Sequence, residues 1–259
     1  MSHAGSAVTQ AIALFVGMMV CLEVGYRLGR RSLETHGASA HEGTGTIDAA
    51  VFALLGLLLA FTFAGSTSRL DAKRQLIVQE ANAIGTAYLR LDVLPAGEQP
   101  EMRRLFREYI DARLRVYERL PDRGATSQEL ARAAQIQGQV WARAVAATGT
   151  DSSAHSARLV LLPALNEMID VTTARTIALD THLPSLIFLL LVCVALLSAL
   201  LAGHAMAKRK ARSLLHMVLY AVVIAATVYT VLDLEYPRVG LIRLDAADQA
   251  LYELRDSIR

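Results

Sequence analysis

The chain has 259 residues, of which 54% are hydrophobic, and its formal net charge is +2. This near-neutral balance lacks the basic excess that binds phosphate backbones, so no nucleic-acid partner is expected. Only Cys21 and Cys193 are present, both inside apolar runs, which excludes a disulfide framework. The hydrophobic residues fall in blocks, and the mean hydropathy of +0.37 predicts a polytopic membrane protein whose first partner is the lipid bilayer.

The first apolar run, residues 7–28, predicts a retained membrane anchor. No Lys or Arg precedes it and three Arg residues follow it, which is the reverse of a secretory signal peptide. Near its end Glu23 can pair with Arg27, either as an interfacial pair or as a functional intramembrane pair. Small residues recur at every fourth position and predict a face for close helix packing: Ala13, Gly17, Cys21, Gly25 and Gly29.

The second apolar run, residues 47–68, continues without a Pro to Leu91 and predicts one helix that leaves the membrane. Its small residues are expected to face the first span: Ala53, Gly56, Ala60 and Ala64. The helix carries three stripes at heptad spacing. They are an apolar stripe (Leu70, Ile77, Ala81, Ile84, Tyr88, Leu91), a polar stripe (Thr62, Ser66, Arg69, Lys73, Glu80) and an uncharged amide and hydroxyl stripe (Gln75, Gln79, Asn82, Thr86).

The polar stripe is the candidate ion pathway. Its members Thr62, Ser66, Arg69 and Lys73 share a face that begins with hydroxyl groups inside the span and ends with two cations. Hydroxyl donors can replace part of an anion's hydration, and a ring of cations repeated by symmetry concentrates anions. The alternative is that Arg69 and Lys73 mark the lipid headgroup boundary, paired with Asp71 or with phosphates.

Residues 69–182 predict an extramembrane antiparallel helical bundle. Pro95 ends the long helix, and Pro100 begins the next helix. Thr126 and Glu129 form a capping box for a third helix that ends near Ala147. The buried positions of these two helices are predicted from spacing: Met102, Leu105, Tyr109, Ala112 and Val116, then Leu130, Ala133, Val140, Trp141 and Ala144.

The last helix of the bundle contains Leu161, Leu165 and Met168, and Pro163 is expected to kink it. Two acidic residues on this helix, Glu167 and Asp170, lie one turn apart. They could hold a cation or act as acid and base, or they could form a solvated, salt-bridged face.

A second hairpin spans residues 183–234, with membrane spans at 183–207 and 214–232 around the basic tip Lys208–Arg212. Residues 235–259 predict an amphipathic tail that docks on the bundle. The prediction is therefore an all-α integral membrane protein with four transmembrane helices in two hairpins (7–68 and 183–234) and an inserted antiparallel bundle.

Orientation is predicted from the basic residues of the short loops. Arg27, Arg30 and Arg31 flank one hairpin tip, and four basic residues of 208–212 flank the other. By the positive-inside rule both tips are cytoplasmic, with the termini and the bundle outside the bacterial inner membrane.

Signatures of catalysis and of cofactor binding are absent from the sequence, including a nucleophile elbow, a P-loop and a zincin motif. His36, His41 and Glu42, between the first two spans, match no metal-ligand spacing. We therefore expect no enzymatic activity, no cofactor and no metal.

Several strings resemble a bacterial membrane-protein family described as bestrophin-like: residues 61–74 (FTFAGSTSRLDAKR), 80–90, 165–170 and 233–242. The residues that carry the resemblance are Asp71, Arg74, Glu80, Asn82, Gly85, Tyr88, Arg90, Asn166, Asp170, Asp233, Pro237 and Gly240. The resemblance implies a distant similarity to bestrophins, which are oligomeric anion channels with four spans per subunit and a helical soluble portion.

The sequence departs from bestrophins at two features. Phe52, Phe61 and Phe63 do not fall on one stripe as the aromatic residues of a bestrophin neck do, and the bundle is predicted outside whereas the soluble portion of bestrophins is cytoplasmic. No acidic calcium clasp is recognisable either. The expected function is an oligomeric ion channel for small inorganic anions, built as a homo-oligomer. The alternative is a non-conducting sensor or scaffold that acts through its helical domain.

Overall fold

The computed structural model describes residues 3–36, 44–119, 122–149, 152–207, 213–237 and 240–258. Within these ranges the regular elements are all helical, which confirms the predicted fold class. His41, Glu42 and Lys208–Arg212 lie outside the described residues. In chain order the helices are α1 (His3–His36), α2 (Thr44–Leu89), α3 (Gln99–Glu118), α4 (Arg123–Ala147), α5 (Ser152–Asp180), α6 (Ser185–Met206), α7 (Leu214–Glu235) and α8 (Asp245–Ser257).

Four stretches are long and apolar enough to cross a membrane, and each overlaps one predicted span: Ala7–Thr35, Gly45–Val93, His155–Met206 and Leu214–Glu235. The second stretch contains α2, a single helix of 46 residues, followed by a short 3-10 turn at Arg90–Val93. The absence of an internal Pro allows this length, and Pro95 follows directly after the turn.

The chain divides into two compact units. Unit 1 contains Met1–Leu70 and His182–Ile242, and unit 2 contains Asp71–Thr181 and Arg243–Arg259. Unit 1 thus holds α1, the first part of α2, α6 and α7. Unit 2 holds the rest of α2, α3 to α5, and α8.

Glycine residues bring the backbones of α1 and α6 into contact in unit 1. An added Cβ would lie 2.0 Å from the carbonyl oxygen of Leu200 at Gly25, and 2.1 Å from that of Leu22 at Gly203. Neither position has room for any side chain. The predicted packing face of α1 is therefore confirmed, and its partner is α6.

The small residues of α2 do not face α1, so that expectation is wrong. Ala53, Gly56, Ala60 and Ala64 are exposed, and an added Cβ at Gly56 would meet nothing within 4 Å. The physical reason is that α6 already occupies the glycine face of α1. Instead, α2 turns its opposite face inward, where Leu55, Thr62 and Ser66 are buried.

The helices of unit 1 pair in parallel. Gly17 of α1 lies beside Leu196 of α6, and Gly29, further along α1, lies beside His204, further along α6. The start of α2 likewise lies near the start of α7, because the rings of Phe52 and Tyr220 are 6.4 Å apart. The ends of α1 and α6, which lead into the two basic loops, therefore lie at the same end of unit 1. Which side of the membrane this end faces stays a prediction.

The core of unit 2 follows the predicted stripes. The predicted face of α3 is buried throughout, and so is the apolar stripe of α2 from Ile77 to Leu91. Leu161, Leu165 and Met168 of α5 complete this cluster, and it is joined by Leu251 of α8 and by Ile258, the residue that follows α8. The apolar face of the tail therefore docks on the bundle, as its pattern predicts.

Two details of α4 differ from the prediction. Asp122, not Thr126, caps the helix, since its carboxylate accepts from the backbone N–H groups of Gly124 and Ala125. The Thr126 hydroxyl instead donates to the carbonyl oxygens of Arg119 and Asp122, and Glu129 pairs with Arg115 at 3.1 Å. Trp141 is 37% exposed, so only part of its ring is covered.

Pro163 lies inside α5, which continues through it.

Candidate functional site

Glu235, the last residue of α7, lies at the centre of a polar cluster in unit 1. Its side chain is 2% exposed, and one carboxylate oxygen accepts from Ser66 Oγ at 2.6 Å and from Arg69 Nε at 2.9 Å. The other oxygen accepts from the backbone N–H of Leu183 at 2.9 Å and lies 4.0 Å from Nδ1 of His182. One carboxylate thus joins α2, the residues before α6, and α7.

The end of α7 carries two carboxylates at the negative end of a helix dipole, where they need positive partners. Asp233 finds them in the returning chain, because the N–H groups of Leu241 and Ile242 donate to it at 3.0 and 2.9 Å. Gly240 makes this turn possible, since an added Cβ there would lie 1.6 Å from Asp233 Oδ1. Pro237, between them, is buried.

The predicted pathway residues face the interior of their own chain. Thr62 donates to the carbonyl oxygen of Leu58 on the same helix at 2.8 Å, and Ser66 and Arg69 bind Glu235. Lys73, which belongs to unit 2, is 8% exposed. The shared polar face is therefore present, but it is engaged within one chain, and its pore role stays a prediction.

The alternative prediction that Arg69 pairs with Asp71 is wrong. Arg69 binds Glu235, and Asp71 pairs with Arg74 at 3.2 Å on an exposed surface.

The predicted pair in α1 is formed, with Arg27 Nε 2.8 Å from Glu23 Oε1. The Arg27 side chain is 73% exposed and the Glu23 side chain 26%. An outward guanidinium with an aliphatic stem is typical of an interfacial pair.

Glu80 lies at the centre of a second cluster, in unit 2, and is fully buried. Arg113 Nε and Arg175 Nη1 donate to its two oxygens, and Tyr117 Oη donates at 3.3 Å. Arg175 also donates to Asp248 of α8 at 3.0 Å and stacks 3.6 Å above the Tyr117 ring. Two guanidinium groups and two carboxylates balance in formal charge, as buried charges require.

The Glu80 carboxylate at the centre of this cluster stays ionised at neutral pH. Burial alone would raise the pKa of Glu80, but the guanidinium groups of Arg113 and Arg175 outweigh it and hold that pKa below its ordinary value. Burial raises the pKa of the adjacent Tyr109 to about 12. Through these contacts the cluster joins α2 to α3 and α5, and α5 to α8.

The other motif residues have separate positions. Tyr88 contacts Phe106 edge-on at 5.9 Å, and Arg90 donates to the carbonyl oxygen of Val160 at 2.9 Å. Asn166 donates to Asp170 at 3.0 Å on an exposed face of α5. A Cβ at Gly85 would approach Leu254 to 3.2 Å, and Asn82 is exposed. Among the described residues, no group of three or more acidic, His or Cys side chains could hold a metal.

Sequence reasoning missed four partners in these clusters: Arg113, Tyr117, Arg175 and Asp248. A signal for one of them exists, because Arg113 lies on the predicted apolar face of α3 between Tyr109 and Val116. A cation there must be buried and must therefore have a buried anion. For Glu235, the sequence shows only its place in the family-like stretch of residues 233–242 and not its partners Ser66 and Arg69.

Four apolar spans and an inserted helical unit define a multi-pass α-helical membrane protein. Within each unit, one charge cluster joins helices of that unit. A family model described as "Bestrophin-like domain" matches residues 12–248, so the chain belongs to the bestrophin-like family. No curated protein and no solved structure is significantly similar to it.

Proposed function

We propose that the protein is a homo-oligomeric ion channel with a preference for anions. The observation that carries the proposal is the exposed face of α2. In unit 2 this face presents the uncharged stripe Gln75, Gln79, Asn82 and Thr86, whereas Lys73 and Glu80 of the polar stripe are buried and the Asp71–Arg74 pair is exposed. Membership of the bestrophin-like family supports the same function.

An exposed stripe of amides and hydroxyls suits a path for small anions. Side-chain N–H and O–H donors can replace part of an anion's hydration, and they bind weakly enough to release it. Heptad spacing lets identical helices place this stripe around a shared axis. Arg69 adds little positive potential to such a path, because Glu235 neutralises it at short range.

Reconstitution in liposomes tests the proposal. We expect chloride flux above that of protein-free vesicles, with lower potassium flux, and an oligomeric mass in mild detergent. Gln79→Glu places a ring of carboxylates on the stripe and should reduce chloride flux relative to potassium flux.

The matched control is Gln135→Glu, the same change on an exposed face of α4, which should leave the ion preference unchanged. Equal effects of the two substitutions, or a monomeric protein without flux, would contradict the proposal.

The second candidate is a non-conducting membrane sensor or scaffold. It is favoured by the contacts of Thr62, Ser66 and Arg69 within their own chain, where Thr62 and Ser66 are buried and Arg69 is paired with Glu235. A stable oligomer that passes neither chloride nor potassium under any condition would select this candidate.

A further inference from the structure

The α2 span is held in unit 1 differently from the other three spans. α1 packs closely on α6 and α7, and α6 packs on α7. Among the described residues, α2 makes no comparably close backbone approach to another helix. It buries one face, where Leu55 and Ser66 are covered and Val51, Leu58 and Leu59 are partly covered against the unit 1 core, whereas Leu57, Phe61 and Phe63 are exposed.

The polar side chains of the α2 span divide into two kinds. The hydroxyls of Thr62 and Thr67 donate to carbonyl oxygens of α2 itself, at Leu58 and Phe63. Such bonds cannot tie the helix to a neighbour. Ser66 and Arg69 instead reach across to Glu235 of α7. The contact between Phe52 and Tyr220, near the start of both helices, is a ring contact without a hydrogen bond.

We propose that Ser66, Arg69 and Glu235 form a latch that sets the position of α2 against α7, and that α2 is the span that moves when the latch opens. Glu235 is the positioning residue, because its two oxygens bind α2 on one side and the Leu183 N–H on the other. The latch can open without unfolding the rest of unit 1, since the α1–α6 glycine contacts do not depend on it.

The geometry also explains why the contact is a latch and not a permanent bond. Glu235 is almost fully buried, but the Arg69 side chain is 27% exposed. Water, headgroup phosphates or anions can therefore reach the guanidinium and compete with the carboxylate. The consequence for ion flow rests on the proposed channel function, whereas the movement of α2 does not.

The test measures the distance between α2 and α7 directly. Spin labels are placed at Leu57→Cys and Val223→Cys, both exposed, after Cys21 and Cys193 are replaced by Ser. Doubly labelled protein is diluted with unlabelled protein in nanodiscs, so that only distances within one chain are seen. Labels at Val20→Cys and Leu197→Cys report α1 and α6 as a reference pair.

Glu235→Gln should add a longer-distance population to the α2–α7 pair and leave the α1–α6 pair unchanged. The matched control is Glu23→Gln, which breaks an ion pair within a single helix and should change neither distance. The double substitution Arg69→Glu with Glu235→Arg restores the pair in reverse and should recover the wild-type distribution, whereas each single change should not.

An α2–α7 distribution that is the same in wild type, Glu235→Gln and both single reversals would overturn the latch. If the distances change as expected but neither the wild type nor any variant passes chloride, the latch stands and the channel proposal fails. Flux that changes without any change in distance would assign Glu235 a direct effect on the ion and would reject its positioning role.

Discussion

Two buried carboxylates, Glu80 and Glu235, show how this chain tolerates charge in an apolar interior. Each is held by arginine from another helix and by at least one neutral donor. An ionised carboxylate without such partners would cost several kcal/mol to bury. The arginine residues therefore neutralise the buried carboxylates. Removing either member of a pair leaves a buried charge without its partner.

Glu80→Gln should destabilise unit 2 strongly. The change leaves Arg113 and Arg175 opposite the single carboxylate of Asp248, and breaking a buried pair costs about 3–5 kcal/mol. Trp141, the one tryptophan of the chain, lies in α4 of unit 2 and reports unfolding by its fluorescence. Glu108→Gln, which breaks an exposed pair with Arg104, should have a much smaller effect.

The same pair predicts the pH dependence of stability. Glu80 lies twelve residues beyond the second span, about 18 Å along the helix. Because its pKa is lower in the folded protein than in the unfolded chain, its contribution is complete above the unfolded pKa of about 4.3 and is lost as the pH falls below it. The acid limb of the stability curve should be flatter in Glu80→Gln, and identical limbs would reject this assignment.

Among the helices, the α1–α6 pair shows what a glycine does when two backbones meet. The prediction concerns Gly25→Ala, whose Cβ would lie 2.0 Å from a backbone oxygen that cannot move aside easily. We expect a loss of about 1–3 kcal/mol, seen as a lower unfolding temperature in detergent. Gly56→Ala adds the same methyl group where nothing lies within 4 Å and should be nearly neutral. Equal losses at both positions would show that the contact does not limit packing.

The periodicity of the sequence predicts which segments form helices better than it predicts which helices pack against each other. The spans and the buried face of α3 follow from spacing alone, because a helix fixes which residues share a face. Spacing does not say which partner a face meets, so the small residues of α2 were assigned to α1 although α6 fills that place. The pattern also predicted Thr126 as the cap of α4, whereas Asp122 caps the helix with the extended backbone of an N-cap residue (φ −105°, ψ 102°).

The clusters were the least predictable part. Glu80 is joined to Arg175 and Arg175 to Asp248, residues 95 and 73 positions apart along the chain. Contacts of this separation leave no periodic trace in one sequence. Only Arg113, set among apolar positions of α3, carried a local sign of its buried partner.

At the scale of the whole molecule, the parallel pairing of spans fixes which helix ends share a side and leaves the absolute orientation as a prediction. In a background without Cys21 and Cys193, Thr35→Cys and Ser127→Cys should label from opposite faces of the membrane, with Ser127→Cys accessible from outside. Labelling of Ser127→Cys only after permeabilisation would reverse the orientation and leave the four spans intact.

Unit 2 is assembled from two stretches of chain that are separated by α6 and α7. During synthesis, at about 5–20 residues per second, the ribosome takes roughly 4–15 s to travel from Arg175 to Asp248. For that interval the nascent bundle holds two buried arginines against one carboxylate, and the site of Leu251 is open. The bundle therefore becomes mature only after both later spans have left the ribosome, and a chain released before Asp245 would present quality-control proteases with an unfinished core.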